Sequence, residues 1–185
     1  IINKSKKTIK FYPYAIINRN NIPSDLTDFY ILHEGYTLIS GEELVEVDYD
    51  DVFEKKHTTE GNSGVLIQGD KYWMTSIIPE QGRNFRFDLD YNNKYRASYI
   101  DLKGYEVRPN TVIEHNVKSL MGAKEIDQIT KDTEDLKIEK LDLIVNYGVL
   151  YFIIVPMHKI LSYFFNFTGN YGFAIILLTI LVRVV

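Results

Sequence analysis

Over the first 116 residues, apolar and polar positions alternate in short runs. The segments FYPYAII, DFYILH, YTLIS, ELVEVDY, SGVLIQ, YWMTSII, FRFDLDY, RASYIDL and TVIEHNV follow one another about every 8–14 residues. Turn formers divide them, as in NRNNIPSD, TEGNSG, PEQG, YNN and RPN. Runs of this length with this punctuation predict an antiparallel β-sandwich. FRFDLDY is the clearest case: Phe85, Phe87, Leu89 and Tyr91 share one face, and Arg86, Asp88 and Asp90 the other. No fixed-length repeat stands out, which sets aside propellers and solenoids.

After residue 119 the pattern changes. GAKEIDQITKDTEDLKIEK is highly charged, with Ile126, Ile129, Thr133 and Leu136 at helical spacing. It predicts a short amphipathic helix on the sandwich and then a connector, over 120–140. From Leu141 the chain turns strongly apolar. The stretch Tyr147 to Phe165 is long enough to span a bilayer. Pro156 interrupts it, however, and His158 and Lys159 follow where a span is driest. His158, Lys159, Ser162 and Asn166 form a polar stripe opposite Ile160, Leu161, Phe164 and Phe165. A helix of that kind suits the membrane interface, and 141–168 is read as an interfacial helix, with spanning as the alternative.

NFTGN is a polar turn, and Tyr171 opens a last apolar segment, 169–185, read as the start of a transmembrane helix. Tyr171 to Val185 makes roughly 22 Å of helix against a hydrocarbon core of about 30 Å. Arg183 lies about 18 Å along it, beyond the midpoint of a bilayer. Two readings fit. Arg183 faces a hydrated cavity shared with other helices, or it anchors a short or tilted span at the far interface. The chain opens on Ile1 with no apolar signal core and closes inside an apolar run, so both ends read as cuts in a longer protein.

Composition narrows the classes. A net charge of −4 argues against a nucleic-acid partner. Without cysteine there are neither disulfides nor thiolate metal sites. The 14 tyrosines and 10 phenylalanines suit both sheets and membrane-surface belts. EELVEVDYDD could suggest calcium, yet its spacing matches no calcium loop; Glu46, Asp48 and Asp50 read better as the charged face of an edge strand. Asp88 and Asp90 could pose as a glycosidase pair, but both lie on one polar strand face. His33, His57, His115 and His158 lack ligand spacing, and Trp73 in YWMTSII reads as core. Neither a nucleophile motif nor a phosphate loop is present.

An ordered set of motifs then stands out: Leu141-Asp142, Val145-Asn146-Tyr147-Gly148, Pro156, Thr168-Gly169-Asn170-Tyr171-Gly172 and Thr179-Ile180-Leu181-Val182-Arg183. Together they closely resemble the bacterial membrane-insertase family YidC of the Oxa superfamily. Upstream, GDKYWMTSIIP (Gly69 to Pro79) and LMGAKEID (Leu120 to Asp127) resemble family segments of the periplasmic domain. Thr168 stands where the family usually has valine, and Ala123 where proline is common. Both departures concern local loop geometry.

The resemblance implies a partial mutarotase-like supersandwich over 1–119, periplasmic together with the connector to about residue 140. Beyond it would come an interfacial helix carrying Tyr147, Pro156, His158, Lys159 and Phe164. From Tyr171 would begin the first helix of an insertase core, with Thr179 and Arg183 in a hydrophilic client groove. The implied activity is not enzymatic and uses no cofactor, neither nucleotide nor metal. It is assistance to newly made membrane proteins entering and folding in the bacterial inner membrane, alone or beside the Sec translocon, in a multi-pass protein. Implied partners are nascent membrane proteins, Sec components and the lipid bilayer. The alternatives are a membrane-tethered periplasmic adaptor docking on Sec-type partners and, behind it, a membrane-anchored carbohydrate-active sandwich.

Overall fold

The computed structural model describes residues 1–26, 33–124 and 151–184. The chain divides into two units, Ile1–Val145 and Asn146–Val185. In the first unit the strands are β1 (Ile9–Phe11), β2 (Tyr14–Arg19), β3 (Gly35–Ser40), β4 (Glu43–Asp48), β5 (His57–Gly61) and β6 (Gly64–Gly69). They continue with β7 (Trp73–Ile77), β8 (Phe85–Tyr91), β9 (Tyr95–Asp101), β10 (Tyr105–Val107) and β11 (Met121–Ala123). One sheet runs β11-β7-β6-β3-β4, a second β2-β9-β8-β5, and β1 pairs with β10. The pairings are antiparallel. This is the predicted antiparallel sandwich.

The alternation seen in FRFDLDY builds its core. Phe85, Phe87 and Leu89 of β8 and Tyr95, Ala97 and Tyr99 of β9 face Tyr36, Leu38, Val47, Leu66 and Ile77 of the other sheet. A helix, α1 (Tyr49–Glu54), closes one end of this layer with Tyr49 and Val52. Tyr49 packs edge-on against both Tyr36 and Tyr95, with ring centroids at 5.5 and 5.2 Å. The outer face of the five-stranded sheet carries a second cluster, Ile39, Val65, Ile67, Met74 and Ile78. With both faces buried, neither β3 nor β6 alternates: β6 holds the apolar run Val65–Ile67, and β3 buries Thr37 along with Tyr36, Leu38 and Ile39.

Four sequence expectations come out differently. EELVEVDYDD stays an edge strand only through Asp48; Asp50 and Asp51 lie in the first turn of α1, where carboxylates favour the helix N-terminus. Thr59–Gly61, read as the start of the turn TEGNSG, instead close strand β5, which registers against Phe85–Leu89. TVIEHNV keeps its alternation, with Ile113, His115 and Val117 half-buried, but forms no ladder; Val112 makes a single bridge to Ile2. Trp73 is not core. It shares a face with Thr75 and Ile77, but only Ile77 reaches the sandwich interior, and Trp73 at the head of β7 is 64% exposed. The DFYILH run, apart from its last residue His33, and residues 125–140 of the stretch read as amphipathic helix and connector lie outside the described residues.

The second unit contains α2 (Tyr151–Thr168) and α3 (Tyr171–Val184). Neither described helix is long and apolar enough to cross a membrane.

Candidate functional site

The turn between α2 and α3 is built by NFTGN itself. Gly169 takes φ +65°, a left-handed conformation that terminates α2. Its N–H donates to the Phe165 carbonyl at 2.7 Å. The Thr168 hydroxyl donates to the Phe164 carbonyl at 2.8 Å. Asn170 caps α3, its side-chain oxygen accepting from the Gly172 N–H at 2.8 Å. The rings of Phe165 and Tyr171 stack across the turn at 4.0 Å, and Ala174 beyond them is fully buried.

That packing gives α3 two sides. Ala174, Leu177 and Leu178 are buried or half-buried, whereas Gly172, Ile176, Thr179 and Arg183 recur at three- and four-residue spacing and are exposed. Thr179 and Arg183 therefore share the side of α3 turned away from its buried stripe. The Thr179 hydroxyl donates to the Ile175 carbonyl at 2.8 Å, which meets its hydrogen-bonding need inside the helix. Among the described residues no carboxylate pairs with Arg183.

Along α2 the helix runs through Pro156, which is exposed beside Ile153, Lys159, Tyr163 and Phe167. His158 and Ser162 are half-buried with Leu161, Phe164 and Phe165. The expected polar stripe is thus split: Lys159 and Asn166 are exposed and His158 and Ser162 are half-buried. Tyr147 lies outside the described residues.

Asp88 and Asp101 of the β unit are committed to neighbouring donors. Asp88 accepts from Thr58 Oγ1 at 2.8 Å and Arg86 Nε at 2.9 Å, and Lys56 Nζ lies 3.1 Å away. Burial pushes its carboxyl up, but these three donors outweigh that and hold it below the ordinary range. A glycosidase acid requires the opposite shift. Asp90 instead borders an open, polar surface depression with Asn18, Tyr91, Lys94 and Arg96, which Asp88 does not line. Asp101 is fully buried and accepts from Arg83 Nε at 2.6 Å and from the Gly104 N–H at 2.7 Å. Burial again opposes, and the arginine and backbone bonds lower its pKa overall. His33 contacts Asp48, His57 lies near the Asp51 carbonyl, and His115 meets the Tyr105 hydroxyl at 3.0 Å. These histidines do not converge. Among the described residues no three His, Asp or Glu side chains gather as a metal site.

Sequence reasoning missed the Arg83–Asp101 pair, since the partners stand on different elements and no local spacing marks them. It also missed the exposure of Tyr72 and Trp73, both 64% exposed. Their position directly after the turn GDK was the available signal.

The family described as YidC periplasmic domain matches residues 1–160. The Membrane protein insertase YidC of Pelagibacter ubique is 45% identical over 183 residues, covering 99% of this chain and 33% of that protein. The protein of the same name from Agrobacterium fabrum is 33% identical over 187 residues, covering 98% and 31%. That of Rickettsia prowazekii is 28% identical over 190 residues, covering 99% and 34%. The chain spans about a third of the length of these curated relatives.

Proposed function

The chain belongs to the YidC periplasmic-domain family, and from that premise we propose that it is part of a bacterial inner-membrane insertase and chaperone. In this reading residues 1 to about 140 are periplasmic. The segment 141–168 lies along the outer leaflet, and 169–185 opens the multi-pass insertase core. The whole protein helps newly made membrane proteins enter and fold in the bilayer, alone or with the Sec translocon. No bond-making or bond-breaking step is involved.

The observation that supports this is the placement of Arg183 and Thr179 on the side of α3 opposite Ala174, Leu177 and Leu178. Hydrocarbon hydrates neither backbone nor charge, so a polar client segment crosses it at high cost. A guanidinium at the centre of a helix costs at least about 2.5–3.5 kcal/mol when it faces lipid, and is retained where it faces water or a polar partner. Additional core helices packed on the Gly172–Ile176–Thr179–Arg183 side would enclose Arg183 in a hydrated groove. Such a groove shortens the dry path, and the charge attracts acidic client residues. The client's own apolar helix then supplies the drive into lipid. Thr179, with its hydroxyl turned onto Ile175, contributes a small polar surface beside the arginine rather than a free donor.

The test is site-specific photo-crosslinking in the full-length parent protein, with the probe at Arg183 and a control at Leu177 on the buried stripe of α3. Stalled nascent chains of a small membrane protein should crosslink at 183, in a length-dependent manner, and not at 177. Crosslinks from 183 to lipid alone would demote the arginine to an anchor and favour the tethered-adaptor reading.

A further inference from the structure

Strand β11 closes one edge of the five-stranded sheet with few side-chain contacts of its own. It is three residues long; Met121 and Ala123 are exposed, and Gly122 has no side chain to bury. Leu120, just before it, packs half-buried on the outer cluster that includes Met74 and Ile78. Hydrogen bonds hold the rest of residues 118–124 to β7 and Ile78. Lys118 and Ile78 each donate an N–H to the other's carbonyl, at 2.9 and 2.8 Å, and the Ser76 N–H donates to the Leu120 carbonyl at 2.8 Å. The Ser119 hydroxyl donates to the Ser76 carbonyl at 2.6 Å. A segment that buries so little apolar surface opens at low free energy unless a further contact holds it.

Lys124 supplies that contact. Its N–H donates to the Tyr72 carbonyl at 2.9 Å, which extends the β11–β7 pairing by one residue. Its side chain then crosses β7, the strand between β11 and β6, and ends over Gly69 of β6. A Cβ on Gly69 would lie 2.9 Å from Lys124 Nζ and 3.1 Å from Cε, so the ammonium fills room that only glycine leaves. Gly69 is buried and registers with Gly35 of β3 on one side and Met74 of β7 on the other. One side chain thus ties the outermost strand to the third strand of the sheet.

The charges around the amine make this tie specific. Burial holds the Lys124 ammonium below the ordinary lysine range, and Asp70, Glu34 and Glu46 pull the other way. Asp70, next to Gly69, is fixed: Arg19 Nη1 binds its two oxygens at 2.6 and 2.7 Å, and the Tyr49 hydroxyl donates to it at 3.0 Å. It is not free to follow a displaced lysine. A desolvated ion cluster adds little net stability, but it rewards one geometry over its neighbours. Here that geometry has Lys124 over Gly69.

We propose that residues 118–124 form a detachable strap on the sheet edge and that Lys124 is its latch. With the ammonium over Gly69 the strap stays on β7. Without it the strap comes away as a unit, while β8 and β9 keep their pairing. Detachment makes β7 the edge of the five-stranded sheet and lifts Leu120 from the outer cluster. Lys124 is a positioning residue, acting through the strand it holds.

Residue-resolved amide hydrogen exchange of the 185-residue chain in detergent micelles tests this. In the unaltered protein the amides of Lys118, Leu120 and Lys124 should exchange through an opening of their own, whose rate depends less on added urea than that of β8 and β9. Lys124→Met keeps the length of the side chain and removes its charge. It should speed exchange at positions 118, 120 and 124 roughly tenfold and leave β8 and β9 unchanged. Gly69→Ala, whose methyl takes the ammonium's place without touching the β11 ladder, should speed the same three amides. Unchanged exchange in Lys124→Met would show that the charge is not the latch and would overturn the proposal. Equal acceleration in the strap and in β8 and β9 overturns it too, because the sandwich then opens as one unit. So do strap amides that, in the unaltered protein, exchange only when β8 and β9 open, a result that needs no variant to fold.

Discussion

In the β unit, the largest apolar side chains meet across the sandwich, and Tyr36, Leu38, Phe85, Phe87 and Leu89 are at most 1% exposed. In the helical hairpin, Ala174 alone among the described residues reaches that state, while Phe167 is 81% exposed and Ile176 and Val182 are more than half exposed. Composition does not explain the contrast, since the hairpin is the more apolar of the two. The β unit stabilises itself against water: its apolar faces meet, and its buried carboxylates Asp88 and Asp101 have donors. The hairpin has one packed seam and apolar surface left over, which suits a segment whose surroundings are lipid and other helices. Stability should therefore be set by the β unit's buried contacts, and function by the hairpin's unsatisfied side.

The strongest way to break that comparison is to open the Arg83–Asp101 pair. Asp101→Asn leaves the arginine without its charge partner beside a fully buried position, and should cost about 3 kcal/mol. The corresponding loss of roughly 10 °C in the melting temperature of the β unit is measurable by circular dichroism. Next comes Gly64→Ala. A methyl group there would run into the Ile39 carbonyl, which belongs to the paired strand and cannot move aside. A loss of about 2 kcal/mol is expected, read as a lower urea midpoint with an unchanged slope.

Acid should sharpen the comparison further. His115 stacks on Tyr99 and is surrounded by Glu80, Arg83, Asp101 and Tyr105. Burial lowers its pKa, Arg83 acts in the same direction, and Asp101 and Glu80 oppose them. The unfolded chain therefore takes up the proton first. Stability should begin to fall as the pH drops below about 6.5, the ordinary histidine value, and level off once the folded form is also protonated. Asp88 and Asp101, held low, add a second decline that starts near pH 3.8 and continues below it. Melting curves across pH should show two steps, of which His115→Phe removes only the first. A single step that His115→Phe leaves unchanged would refute this assignment.

The smallest effect is expected at Thr179. Thr179→Val loses a hydroxyl that bonds only its own helix, so crosslinking of nascent chains at position 183 should change by less than about twofold. A large loss would mean that the hydroxyl turns outward to meet the client.

Much of this was legible from local pattern. The period-two alternation of FRFDLDY and RASYID placed the core faces of β8 and β9, because each strand has one face toward the other sheet. Gly169 and Asn170 announced the turn between the helices, since few other residues terminate and restart a helix so tightly. Pattern failed where burial depends on what lies opposite. HTTEG carries almost no apolar signal and becomes a strand because β8 offers an unpaired edge. Trp73 has the alternation of a core residue and lies outside because the interior ends before it. The site shows the same division. A charge within an apolar helix, and Thr179 one helical turn from Arg183, follow from the order of residues alone, because 3.6 residues per turn is a property of the backbone. Which side of α3 they occupy depends on packing. The packed seam of Ala174, Leu177 and Leu178 and the Phe165–Tyr171 stack are contacts between residues whose meeting depends on how the turn folds.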